Sequence, residues 1–161
     1  MRAQVDRQCV INANSQFWEQ MLAMTLEPAL FSAEFCAEAA HMVGSVSLSG
    51  GWIGLIEVRM ASRLAYEATA AMMMMPLDTV AEADALDATK EIANMIAGVI
   101  KSSLPRPCAM AVPQSAVEAE SFCLQPPTGD TLAVAFRHAS GDLLVRVCER
   151  AFLQPQGTDT R

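Results

Sequence analysis

The sequence predicts an α+β domain, with helices packed on one face of a mostly antiparallel β-sheet. Three observations carry that prediction. Apolar residues follow a helical period in three stretches, near 15–26, 61–75 and 84–104. They alternate with polar ones around 44–60 and again from 108 onward, with turn residues between the runs. The chain has 161 residues, 52% apolar and 18% charged, enough for one real core and too apolar for general disorder.

Taken in order, Ser15 is the candidate cap of a first helix through Phe17, Trp18, Met21, Leu22 and Leu26, ended by Glu27-Pro28. Residues 29–42 lack a strong apolar stripe, and Ser32 there is a candidate cap for a short helix through Phe35 and Cys36. Val46 and Leu48 alternate with serines, Ser49-Gly50-Gly51 supplies turn chemistry, and residues 52–60 return as a second strand, giving a hairpin. A second helix over 61–75 places Leu64, Ala68, Ala71 and Met75 on one side and stops at Pro76. After an acidic linker, 78–84, a third helix runs to about Leu104, where Pro105 and Pro107 end it. Four strands follow, over 108–112, 116–124, 132–138 and 143–150, joined by turns at 126–130 and 140–142. Residues 1–153 are expected to form a single domain, and the last residues, QPQGTDTR from 154, a disordered tail.

Composition narrows the function. A net charge of −7 argues against a nucleic-acid surface, which needs a basic patch. No apolar run approaches the ~20 residues of a membrane span, and the N-terminal MRAQVDRQCVINANS holds no apolar block of signal-peptide length. Cys9, Cys36, Cys108, Cys123 and Cys148 are scattered and odd in number, with no Cys-x-x-Cys pair and only His41 and His138 beside them. Unpaired thiols in a reducing cytoplasm are the expectation, with no metal site and no cofactor. Trp18 and Trp52 are expected to anchor the core, the four methionines 72–75 to fill it, and His138 to lie exposed beside a turn. GGWIG lacks the lysine and the following helix of a phosphate loop.

The third helix is the informative one. With Glu91 set at zero and ~100° per residue, Ile92, Ile96, Val99 and Ala85 fall at about 80–140°, with Ile100 near 180°. Asp87, Lys90, Asn94, Gly98 and Lys101 fall at about 260–340°, on the other side. Glu91 and Asn94, three residues apart, are neighbours on that polar face. Gly98, one turn on, costs up to ~1 kcal/mol of helix stability relative to alanine and leaves bare backbone where another molecule can come close. By itself, Glu-x-x-Asn on a polar face is an ordinary solvated pattern.

Its setting gives it more weight. DALDATKEIANMIAGVIKSSLP resembles the signature helix of the CheC/CheX/FliY family of bacterial chemotaxis phosphatases: Asp or Ser, three residues, Glu, two residues, Asn. Asp87, Glu91 and Asn94 match it, and Met95, Gly98, Lys101, Ser102 and Leu104 follow in family style. GSVSLSGGWIGLIEVRM is similar to the family's hairpin, and CAMAVPQSAVEAESF to its strand-and-proline segment. The motif occurs once, as in CheX, whereas CheC carries it twice.

The resemblance implies the CheX fold, a homodimer and a substrate: the phospho-aspartate of a CheY-like response regulator. It implies that Asn94 positions the attacking water and that Glu91 engages the regulator, while Asp87, Lys90, Gly98 and Lys101 help to dock it. Magnesium would come from the regulator. The rival expectation is a non-catalytic module of the same fold that binds a regulator or a signalling ligand.

Overall fold

A computed structural model of the chain describes residues 5–30, 40–118 and 131–149. Among these, three helices and seven strands follow one another as α1 (Arg7–Leu22), β1 (Glu27–Ala29), β2 (His41–Gly50), β3 (Gly54–Ala61), α2 (Ser62–Met73), α3 (Glu82–Lys101), β4 (Cys108–Met110), β5 (Gln114–Glu118), β6 (Thr131–His138) and β7 (Gly141–Glu149). A single 3-10 turn, Leu77–Thr79, links α2 to α3. The strands form one antiparallel sheet in the order β1-β6-β7-β3-β2, and β4 and β5 share the outer edge of β2.

The alternation of each strand decides which face is buried. Met42, Val46 and Leu48 on β2, Ile56, Val58 and Met60 on β3, Val134 and Phe136 on β6, and Leu143, Val145 and Val147 on β7 turn to one side. There they meet Val10, Phe17 and Trp18 of α1, Leu64 and Ala68 of α2, and Ile92, Ile96 and Ile100 of α3 in a single core. The expected α+β architecture is therefore the observed one, and both tryptophans are buried in it.

The first helix starts earlier than its sequence suggests. Asp6, not Ser15, is the cap, its carboxylate accepting from the Cys9 N–H at 2.8 Å. The first half of α1 hides its periodicity because Ala13 and Asn14 occupy buried positions between Val10 and Phe17. Asn14 is satisfied there, its side-chain oxygen accepting from Trp18 Nε1 at 3.0 Å. The helix also stops earlier, at Leu22, with Ala23 left-handed at φ 52°. Glu27-Pro28 is then not merely a stop: it belongs to β1 on the sheet's outer edge, where a proline loses no needed ladder bond.

The remaining differences are local. β2 begins at His41, and the candidate helix capped by Ser32 lies outside the described residues, as do the turn at 126–130 and the tail. The second helix ends at Met73, with Met74 left-handed at φ 51°. Met74 is 93% exposed and Met73 and Ala71 are exposed as well, so only Met72 and Met75 of the quartet and its neighbours turn partly inward. The core-filling expectation fails for Met73 and Met74 because the helix unwinds beneath them. Cys9, Cys108 and Cys148 are free thiols, and Cys36 and Cys123 lie outside the described residues. No described helix is long and apolar enough to cross a membrane.

On the face away from the helices, Arg59 bridges Glu57 (3.0 Å) and Glu118, tying the centre of the sheet to the edge strand β5. His41, opposite Glu118 in the ladder, is buried and its Nδ1 has no hydrogen-bond partner among the described residues. Burial and the nearby Arg59 guanidinium hold the His41 imidazole below its ordinary 6.5, against the opposing pull of Glu118 and Asp142. The hydrogen bond from Arg59 holds the Glu118 carboxyl below its ordinary 4.5. Both groups bind protons more tightly in the unfolded chain, so both contribute stability that is complete above those ordinary values and lost as pH falls through the folded ones. Asp142, whose carboxyl burial holds above its ordinary 3.8, has the opposite sign and is less unfavourable in acid. His41 acts at the higher pH. The urea midpoint is expected to fall between about pH 7.5 and pH 5.5, and the fall to shrink in His41→Phe. An unchanged pH slope in that variant would assign the effect to other groups.

Candidate functional site

The polar strip of α3 is held out to solvent because the opposite half of the helix is packed. α3 rests on β2, β3 and β5 and also touches α1 and α2. Ala88, Thr89, Ala93 and Ala97 are buried along with the isoleucines, so the buried arc spans about half the helix circumference. Sequence periodicity marks the isoleucine stripe but not these small residues. Their role is close approach: a Cβ on Gly44 of β2 would sit 2.6 Å from the Thr89 carbonyl oxygen and 2.8 Å from Ala93 Cβ. Thr89 spends its hydroxyl on the Ala85 carbonyl, 2.7 Å away. Ser115 of β5 donates to the Leu86 carbonyl at 2.8 Å, a second tie between the motif turn and the sheet.

The ends of α3 are also defined. The Asp84 carboxylate accepts from the Ala81 N–H at 3.0 Å, and Glu82 and Asp84 lie in the first turn while Lys101 lies in the last, each of the sign the helix dipole favours. Beyond Lys101 a tightened turn caps the last carbonyls: the N–H groups of Ser102, Ser103 and Leu104 donate to Val99, Ile100 and Lys101. The helix thus begins two residues before the expected Asp84 and ends three before the expected Leu104.

The residues expected to act together do share the open side of the helix. Asp87, Glu91 and Gly98 are exposed; Lys90, Asn94 and Lys101 are half-buried. Lys90 Nζ lies 3.8 Å from Asp87, an exposed pair of little energetic weight. Glu91 and Asn94 have neither a side-chain hydrogen bond nor an ion pair among the described residues, so both are available to a second molecule. Among the described residues, and apart from the helix's own backbone, nothing lies within 4 Å of where a Cβ on Gly98 would stand. The strip is therefore an open hydrogen-bonding surface on which the Glu91 carboxylate and the Asn94 carboxamide lie a turn apart, beside the Asp87–Lys90 pair, on a helix packed along its opposite half. Val99, expected in the core stripe, is only half-buried at its margin.

Beside the strip lies a feature with no counterpart in the sequence pattern. The last turn of α3 and the segment after it enclose a cleft of about 500 Å³ lined by Gly98, Lys101, Ser102, Arg106, Pro107 and Cys108. In sequence Pro105 and Pro107 read only as helix stops, which hides Arg106 between them; the signal available was a second cation five residues after Lys101.

A family model described as chemotaxis phosphatase CheX matches residues 42–136, a span that includes the hairpin, α2 and the whole of α3. This chain belongs to the CheX family. Solved structures agree on the CheX fold. Chemotaxis protein CheX from Vibrio vulnificus is 17% identical, with a TM-score of 0.73 over 92% of this chain and 99% of that one. A chain of the CheX–CheY–BeF3–Mg2+ complex from Borrelia burgdorferi is 18% identical, with a TM-score of 0.67 over 91% and 99%. FliY from Thermotoga maritima is 14% identical, with a TM-score of 0.56 over 88% and 84%. No curated protein sequence matches the chain.

Proposed function

We propose that this CheX-family chain hydrolyses the phospho-aspartate of a CheY-like response regulator, using the polar strip of α3. The observation that carries the reading is the unpaired, outward-facing Glu91–Asn94 pair beside the bare backbone of Gly98, within the segment matched by the CheX family model. That a related CheX fold occurs in complex with CheY, BeF3 and Mg2+ supports the choice of partner.

An acyl phosphate is already activated, so the phosphatase needs chiefly to hold one water in line behind phosphorus. A carboxamide suits this: its oxygen accepts from the water, its NH2 donates, and neither titrates. Asn94 takes that role. Glu91, one turn back, meets a cation of the regulator, and Asp87, Lys90, Gly98 and Lys101 form the surrounding contact. Among the described residues no three His, Cys, Asp or Glu side chains converge on a common point. The Mg2+ in the reading belongs to the regulator, and no step here passes through it.

The test is phosphate loss from a panel of phosphorylated regulators with and without the wild-type chain. Acceleration for one member supports the phosphatase; a member that binds without acceleration transfers the reading to a non-catalytic module. We also expect a homodimer formed through the sheet's edges, in a cytoplasmic setting; a monomer by light scattering at micromolar concentration would remove the dimer and leave the site as it is.

A further inference from the structure

The cleft at the end of α3 differs in charge from the rest of the molecule. The chain carries −7, yet among the described residues the cleft's lining holds Lys101 and Arg106 and no carboxylate. No carboxylate among the described residues lies within ion-pair distance of either cation. The α3 carbonyls that would otherwise oppose an anion are occupied by the turn that follows the helix, and Ser102 Oγ donates to Val99 O at 2.6 Å. The far wall is fixed as well. Gly51 N donates to the Pro107 carbonyl at 2.7 Å, and Cys108 pairs with Gly50 in the sheet. Gly50 at φ +111° permits this, since a Cβ there would stand 2.3 Å from Pro107 O.

The cleft is continuous with the motif strip. Gly98 belongs to both, and Lys101 lies seven residues from Asn94, about 10 Å along the helix. A partner whose phosphoryl group sits at Asn94 therefore covers the cleft too. A partner that holds Mg2+ beside a phospho-aspartate must do so with oxygen ligands, principally carboxylates, so the rim of its site is acidic. Against a chain of net negative charge, two cations without a carboxylate partner among the described residues orient the approach from one end of the strip.

We propose that Lys101 and Arg106 form an electrostatic docking cleft for an acidic segment of the phosphorylated regulator, with Arg106 the member that sets orientation and association rate. The proposal rests on the phosphatase reading for its partner but not for its measurement, which is binding. In the Asn94→Ala background, association of the phosphorylated regulator with Arg106→Glu is expected to slow about tenfold, with a weaker dependence on salt than in the parent. In the active protein the same change is expected to raise KM about tenfold and spare kcat. Arg106→Lys should recover most of the rate, and thermal melts should be unchanged because Arg106 is exposed. Association by Arg106→Glu that matches the parent in rate and salt slope would overturn the cleft while leaving the phosphatase reading intact. A cleft that takes inorganic phosphate without competing with the regulator would overturn it too. A regulator that binds in an Arg106-dependent way but is never dephosphorylated would uphold the cleft and remove the phosphatase.

Discussion

Asn94→Ala is expected to cut the dephosphorylation of the cognate regulator by about a hundredfold or more, because misplacing a reacting group by even an ångström costs that much. The loss should fall on kcat, since an in-line water is held in the transition state and contributes little to the ground-state complex. Binding of the phosphorylated regulator should stay within a few fold of wild type. Glu91→Ala should behave differently. It removes a charge-assisted contact worth roughly 1.5–3 kcal/mol, so affinity should fall by tenfold or more along with the rate. Neither change should alter the melting temperature much, because neither side chain makes a described internal hydrogen bond and both project from the packed helix. An Asn94→Ala protein that turns over the regulator at the wild-type rate would end the water-positioning mechanism.

The two halves of that site were unequally legible in the sequence. The motif face could be read because its chemistry lies on one element: residues three, four and seven apart on a helix must share a side, and they do. The packed sides of α3 were less legible. Ala88, Ala93 and Ala97 carry almost no hydrophobic signal, and their burial depends on what faces them, Gly44 above all, which is some fifty residues away. Likewise the first half of α1 was not legible, because Ala13 and Asn14 occupy its buried side and neither carries a hydrophobic signal of its own. β6 and β7 were legible in the alternation of Leu132, Val134 and Phe136 and of Leu143, Val145 and Val147, although Ala135 and Leu144 on the other face are buried as well, and residues 119–124 of the strand expected over 116–124 lie outside the described residues. The Lys101–Arg106 cleft was not, because it requires the post-helix segment to fold back on the β2–β3 turn.

Gly44 and Gly98 allow the packed and open sides of α3 to be compared with one kind of substitution. Gly44→Ala would put a methyl group 2.6 Å from the Thr89 carbonyl oxygen, a backbone atom that cannot swing aside, and 2.8 Å from Ala93. Relief requires α3 to lift off β2. Overpacking of this sort costs about 1–3 kcal/mol, and the immobility of the backbone puts Gly44→Ala near the upper end. For a chain of this size that is a fall of about 5–10 °C in melting temperature. Because Ala93 is the residue before Asn94, the same displacement moves the residue proposed to position the water, and on that proposal turnover should fall even below the melting point. Gly98→Ala is expected to have the opposite sign. Among the described residues nothing beyond the helix's own backbone lies within 4 Å of the new methyl, and alanine improves a helix interior over glycine by up to ~1 kcal/mol, so the protein should melt higher. If the bare backbone at Gly98 exists for the regulator's approach, this more stable protein should bind the regulator less well. Higher stability with unchanged affinity would remove Gly98 from the contact, and a Gly44→Ala protein as stable as wild type would show that α3 is not held against β2 at that point.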